Sequence, residues 1–259
     1  MDFFETIMVP FNWFVSATMV GLHDALSSLG MPAASGWTWT LSIIGLVLII
    51  RAALIPVFLR QVRAQRRFRL LQPELKKLQD KYRGKTDQLS RQAMAQEQMA
   101  LYKEHGTNPF SACLPMLIQV PFFFALFQVL AGIPAAAREA KGIGAMNPEQ
   151  VLQFGESSIF GAPLSASVLH VSGDPAAVTG LTLVMILAMT ASQVIAQRRA
   201  LARNMPDETT DNPLVRQQKM ILYVLPLVFA VGGIFFPIGV LIYWTTTNLW
   251  TMVQQFFIK

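Results

Sequence analysis

Arg51 lies inside the apolar run Leu41–Leu59, and no acidic residue occurs in that run to pair with it. A guanidinium at membrane depth costs at least about 2.5–3.5 kcal/mol on insertion scales, and arginine cannot escape by losing its proton. What it can do there is donate charge-assisted hydrogen bonds to an anionic group, or sit in a water-filled cavity. A structural arginine that snorkels or caps backbone carbonyls is the plainer alternative. Gln119, Gln128, Ser192, Gln193, Tyr243, Thr245, Thr246, Thr247 and Asn248 place further polar groups in apolar stretches. Such groups face a bundle interior, and a wet half-channel would satisfy them together. Gln119 and Gln128 also suit plain interhelical hydrogen bonds, and Thr245–Thr247 can bond back to their own helix carbonyls.

Other chemistries lack residues. Cys113 is the single cysteine, and His23, His105 and His170 are scattered, so no set has metal-ligand spacing. Neither a serine elbow nor a phosphate loop is present, and the spans hold no Ser/His or paired-Asp constellation. The expectation is a protein that is not an enzyme and carries no metal or cofactor.

The elements that must position Arg51 follow from composition. Hydrophobic residues make up 53% of 259 positions and charged residues 14%, which fits a polytopic membrane protein. Five apolar stretches, roughly 39–59, 110–131, 179–197, 220–236 and 238–258, approach the length needed to cross a core of about 30 Å. The fourth, at about 1.5 Å per residue, reaches only about 25 Å, which predicts a thinned bilayer or a helix end buried in protein. Residues 1–38 carry no Lys or Arg and three acids, whereas 60–108 carry twelve basic residues against five acids. Residues 132–177 hold two basic and four acidic residues, and 198–219 hold five and three. The positive-inside rule then puts the N-terminus outside and the C-terminus inside, and topology accounts for the pI near 9.7 without nucleic acid.

Residues 1–38 form an extracytoplasmic N-terminal segment with no basic leader region. Phe11, Phe14, Val15, Thr18, Met19, Leu22 and Leu26 recur at helical spacing, which suits an amphipathic helix in the outer interface, a sixth span being the alternative. A first transmembrane helix covers 39–60. Residues 61–108 read as a cytoplasmic helical hairpin: Phe68, Leu71, Leu75, Leu78 and Tyr82 make one apolar stripe, Gly84 offers the break, and Ala93/Ala100 and Met94/Leu101 recur at seven. Its basic face fits a solvated surface beside anionic headgroups or a partner's docking site. The remaining divisions are a second span at 109–131, an extracytoplasmic loop at 132–178 with a short helix near 148–154, a third span at 179–197, a cytoplasmic loop at 198–219, a fourth span at 220–236, and a fifth with the C-terminus at 237–259. The fold class is all-α.

Residues 107–130, Thr-Asn-Pro-Phe-Ser-Ala-Cys-Leu-Pro-Met-Leu-Ile-Gln-Val-Pro-Phe-Phe-Phe-Ala-Leu-Phe-Gln-Val-Leu, resemble the second-span signature of the YidC/Oxa membrane protein insertases. Arg51-Ala-Ala-Leu-Ile-Pro56, Leu71-Gln-Pro-Glu-Leu-Lys-Lys-Leu-Gln-Asp-Lys-Tyr82 and Phe236-Pro-Ile-Gly-Val-Leu-Ile-Tyr-Trp-Thr-Thr-Thr-Asn248 resemble further landmarks in the family's order. The resemblance covers roughly 7–258 and is to the compact five-span form. The large periplasmic domain and extra first span of Gram-negative members, the lipoprotein cysteine of many Firmicutes members and a long basic tail are missing from it, which puts a tail-borne ribosome contact in doubt.

The resemblance implies a groove between the spans, open to the cytoplasm and to lipid and closed toward the outside, with Arg51 on its floor. Matching motifs put Gln193 and Trp244 in that groove with Arg51, and Tyr243 and Asn248 as further groove residues; Gln119 is a further candidate as a polar group in an apolar span. The basic hairpin face, read from its charge as a solvated surface or a docking site, is carried by Arg66, Arg67, Lys76, Lys77, Lys81 and Arg83. The implied activity is insertion and chaperoning of nascent membrane proteins in the bacterial plasma membrane without ATP hydrolysis. Implied partners are membrane lipids, the Sec translocon, the ribosome and the signal recognition particle pathway, with no nucleic-acid substrate. The rival from another class is a small anion transporter or channel with Arg51 as its midplane site; the inverted repeats common in such proteins are not visible.

Overall fold

The computed structural model describes residues 3–85, 87–106, 114–204, 224 and 226–257. Residues 107–113 of the signature, with Cys113, lie outside the described residues, as do 205–219 of the expected cytoplasmic loop, 220–223 and 225 of the fourth expected span and Ile258 at the end of the fifth. The described chain is dominated by helices: α1 (Phe3–Ser28), α2 (Gly36–Ala53), α3 (Ile55–Tyr82), α4 (Gln88–Glu104), α5 (Leu114–Arg138), α6 (Pro148–Glu156), α7 (Pro175–Asn204) and α9 (Ile238–Phe257). A ten-residue apolar helix, α8 (Pro226–Phe235), precedes α9 and ends in a 3-10 turn over Gly233–Phe235. Strands β1 (Ser158–Ile159) and β2 (Ala162–Pro163) form a small antiparallel hairpin.

Three described helices are long and apolar enough to cross a bilayer by length and composition: α2, the Ile118–Arg138 part of α5 and the Pro175–Arg199 part of α7. The two remaining expected spans are not among them, for different reasons. What is described of the fourth is the ten-residue α8. Helix α9 has the length, 20 residues, but Thr245-Thr246-Thr247-Asn248 and Gln254-Gln255 dilute its apolar character.

The apolar run around Arg51 is not one helix. It ends at Ala53, Leu54 turns, and α3 starts at Ile55 with proline in its first turn. Pro56 lacks an N–H and crowds the residue before it, so it fits the first turn of a new helix better than the interior of an old one.

The chain divides into two compact units, residues 1–52 with 121–259, and residues 53–120. The core of the first contains Trp39, Ile43, Leu46, Leu126, Leu130, Ile133, Leu164 and Met189, all buried. Helix α1 packs on it through Met8, Val15, Met19 and His23. The Phe11 and Phe14 rings meet Phe122 edge-on at 5.6 and 5.9 Å, and the His23 ring stacks on Trp39 at 3.9 Å. Small residues set the closest approaches. A Cβ on Gly239 would stand 2.8 Å from Leu130 Cδ1 and 3.3 Å from Ile43 Cδ1.

The stretch after α5 is more than a surface connection. Helix α6 opens on a capping box: Asn147 accepts from the Gln150 N–H at 2.9 Å, while the Gln150 side chain accepts from the Asn147 N–H at 3.1 Å. Phe160 and Gly161 take φ of 51° and 79° between β1 and β2, as a tight hairpin with a primed turn requires. Val151, Phe154, Ile159, Ala162, Leu164 and Ala166 are buried. The carbonyls of Ala166 and Leu164 accept the Ile238 and Gly239 N–H groups at 2.9 Å each, satisfying donors that the start of α9 would otherwise leave open.

In the second unit α3 and α4 pack antiparallel, with Lys81 opposite Glu97 and Glu74 opposite His105. Leu71, Leu75 and Tyr102 are its buried core, with Leu101 against them. The contact therefore runs on large residues; Ala100, from the small-residue repeat, is exposed. Gly84, at φ 83°, supplies the left-handed step after α3, and Asp87 caps α4 by accepting from the Ser90 N–H at 2.8 Å.

Candidate functional site

Arg51 projects from the last turn of α2 and is half-buried. Its Nε is buried without a hydrogen-bond partner, and no ion pair to it is formed among the described residues. Tyr243 interacts with it electrostatically; that tyrosine is buried, 2% exposed, on α9. A guanidinium donates through five N–H groups, so a neutral phenol leaves most of its capacity to other groups or to water.

Gln193 and Asn248 come together. With Ser192, Gln197, Thr251 and Gln255 they line a recess of ≈ 180 Å³ between α7 and α9. Asn248 Nδ2 reaches the Met189 carbonyl at 3.4 Å, and Ser192 Oγ donates to the same carbonyl at 2.8 Å. The Oε1 atoms of Gln193 and Gln197 are buried and unpartnered. Arg51, Tyr243 and Trp244 are not among the lining residues of this recess.

Trp244 sits in an aromatic cluster. Its ring centroid lies 4.6 Å from Phe229, 5.4 Å from Phe123 and 5.7 Å from Phe236, each edge-on. These rings come from α5, α8 and the turn before α9, which fixes the indole while leaving it partly exposed. Gln128 accepts a hydrogen bond from Asn12 of α1 at 2.9 Å, an interhelical tie of the plain kind. Thr246 donates to the Ile242 carbonyl of its own helix at 2.8 Å, while the Thr245 and Thr247 hydroxyls are buried without a partner.

Gln119 belongs to the second unit, is half-buried and has an interaction of its own. Arg66, Arg67, Lys76, Lys77, Lys81 and Arg83 belong to that unit too and are all exposed. Lys81 is committed within the hairpin, 2.7 Å from both Glu97 oxygens, and Arg66 also has an interaction of its own. Hydrogen bonding from Lys81, then from the Tyr82 hydroxyl, holds the Glu97 carboxyl below its ordinary range.

The sequence reading missed Gln197, Thr251 and Gln255. The signal was there: Gln197 follows Gln193 by four, and Thr247, Thr251 and Gln255 repeat at four, one helical face each. Among the described residues no group of three His, Cys, Asp or Glu could hold a metal.

Three helices apolar and long enough to cross a bilayer, with a half-buried arginine whose Nε has no partner among the described residues and an amide-lined recess, define a membrane protein with polar side chains set among its apolar helices. Residues 31–259 match the family described as 60Kd inner membrane protein. The chain is 43% identical over 98% of its length to the membrane protein insertase YidC of Streptomyces avermitilis, of which it spans 58%. To the membrane protein insertase YidC of Tropheryma whipplei strain Twist it is 42% identical over 98% of its length, spanning 84% of that relative. The fold matches the structure titled "Active YidC insertase crystal structure with the first transmembrane domain resolved" with a TM-score of 0.54 at 21% identity, covering all of this chain and 48% of that one. The chain belongs to the YidC insertase family and is a bacterial membrane protein.

Proposed function

We propose that this chain is a membrane protein insertase and chaperone, moving short hydrophilic segments of nascent membrane proteins past Arg51 and releasing the attached apolar helix into lipid. The observation that carries the reading is Arg51: its Nε is buried and unpartnered, and no carboxylate pairs with it among the described residues. Such a charge is held ready for an anionic group in transit.

Dehydrating the substrate's hydrophilic segment is the barrier. Arg51 lowers it for carboxylates by a charge-assisted hydrogen bond partway across. Burial of the substrate helix in lipid, at roughly 25 cal/mol per Å² of apolar surface, drives the step forward without ATP hydrolysis. Gln193, Asn248, Tyr243 and Trp244 serve as the other groove residues. The charge alternation supports five spans with the N-terminus outside and the C-terminus inside. The basic hairpin, through Arg66, Arg67, Lys76, Lys77, Lys81 and Arg83, would dock anionic lipid or a delivery partner such as the ribosome, the signal recognition particle or the Sec translocon.

The test is reconstitution of the purified chain alone in liposomes without nucleotide, scored by protease protection of a single-span substrate with a short acidic N-terminal tail. Protection well above protein-free liposomes is expected; protection equal to them, from a folded protein, would refute an autonomous insertase.

A further inference from the structure

Among the described residues no charged side chain lines the recess between α7 and α9, and its chemistry differs from that of Arg51. Gln193, Gln197, Asn248 and Gln255 bring carboxamides, and Ser192 and Thr251 bring hydroxyls that donate to the Met189 and Thr247 carbonyls and keep their oxygens as acceptors. A carboxamide carries the same donor and acceptor pair as a peptide group. Two acceptors lack a partner among the described residues, the buried Oε1 atoms of Gln193 and Gln197, and a side-chain rotation brings either toward the recess. At ≈ 180 Å³ the recess is far larger than the space one water needs.

The spacing fits one kind of guest. Residues four apart on a helix rise about 6 Å, and an extended chain repeats the same side of its backbone every two residues, about 6.6–6.8 Å. Gln193 and Gln197 on α7, and Thr251 and Gln255 on α9, are both pairs of this spacing. The helices run the same way, since both begin at the β-hairpin: Ala177 of α7 approaches Gly161, and α9 starts on the carbonyls of Leu164 and Ala166. Both pairs therefore advance in the same direction along the recess.

We propose that this recess is a main-chain binding station, in which the carboxamides of Gln193 and Gln197 and the polar groups of Asn248, Thr251 and Gln255 take the backbone amides of an extended polypeptide segment in place of water. The proposal rests on the insertase reading and specifies its substrate contact. Arg51 selects for carboxylates, whereas the recess accepts peptide groups whatever side chains they carry. Uncharged hydrophilic segments are then handled as well as acidic ones.

The test uses the full-length protein in liposomes and a semisynthetic single-span substrate whose hydrophilic tail carries either normal amides or two amide-to-ester replacements. An ester lacks the N–H donor and is cheaper to dehydrate, so unassisted crossing would speed up. Each lost hydrogen bond is expected to slow wild-type insertion by about fivefold. The double variant Gln197→Met/Gln255→Met should insert acidic and uncharged amide tails at least about fivefold more slowly than wild type, and should no longer prefer amide to ester. Ester tails crossing as fast as amide tails on wild type would overturn the proposal even if the variant failed to fold. A folded variant with wild-type rates would overturn it as well. No insertion of any tail by wild type would instead remove the insertase reading, and the station with it.

Discussion

Asn12 on α1 donates from Nδ2 to Oε1 of Gln128 on α5 at 2.9 Å, joining residues 116 apart in sequence. Between apolar helices such a bond is worth about 0.6 kcal/mol on average and up to about 1.7. Its removal from one side strands the partner amide. Asn12→Ala or Gln128→Leu should therefore each destabilise the folded chain by about 1 kcal/mol in denaturant titration in detergent. The double variant should lose less than the sum, and strict additivity would show that the pair is not coupled.

Gly239 meets Leu130, Ile43 and the Leu164 carbonyl where a Cβ would go. Leu130 and Ile43 are fully buried, so neither side chain can move into open space. Gly239→Ala should cost about 1–3 kcal/mol, the usual penalty for overpacking. Gly180, inside α7, has nothing within 4 Å of its ideal Cβ, and Gly180→Ala should stabilise by about 0.5–1 kcal/mol through backbone entropy. Thermal denaturation of the two variants should move in opposite directions.

The Lys81–Glu97–Tyr82 cluster makes the hairpin pH-dependent at both extremes. Glu97 is held below its ordinary range by hydrogen bonding from Lys81 and Tyr82, so its contribution is complete above the unfolded value and fades as pH falls through the folded one. Lys81 is raised by its hydrogen bond to Glu97, so its contribution is complete below its ordinary value and fades in strong alkali. Spin labels at Lys76→Cys and Gln96→Cys, in a Cys113→Ser background of the full chain, should report a constant distance from about pH 5 to 9 and broadening below about pH 4.3. Glu97→Gln should reduce the acid broadening, leaving the part that belongs to the Asp87 cap of α4, whose carboxyl the Ser90 N–H also holds low.

Periodicity carried the helical hairpin into view. The apolar stripe at Leu71 and Leu75 is the buried seam of α3, and the left-handed step expected of a glycine break is at Gly84. The stop after Ala53 departs from the single helix expected over 39–60, although Pro56 carries the signal, since it cannot sit inside a helix that donates through every amide. The loop between α5 and α7 was not readable. Its Gly, Pro and Ser content speaks for turns, whereas the burial of Leu164 and Ala166 depends on α9 arriving more than 70 residues later to be capped by them. At the site, single polar residues such as Arg51 and Gln193 stand out against apolar neighbours. Gln197 and Gln255 do not, since each lies near the end of its apolar stretch, and the recess depends on how α7 and α9 pack.

The most direct test of the account is the initial rate at which reconstituted wild type, Arg51→Lys and Arg51→Ala insert one single-span substrate with an acidic tail. If Arg51 acts through its charge, Arg51→Lys should keep a large share of the rate and Arg51→Ala should lose at least about tenfold, the equivalent of about 1.4 kcal/mol of barrier. Equal rates for Arg51→Ala and wild type, with both proteins folded, would contradict it.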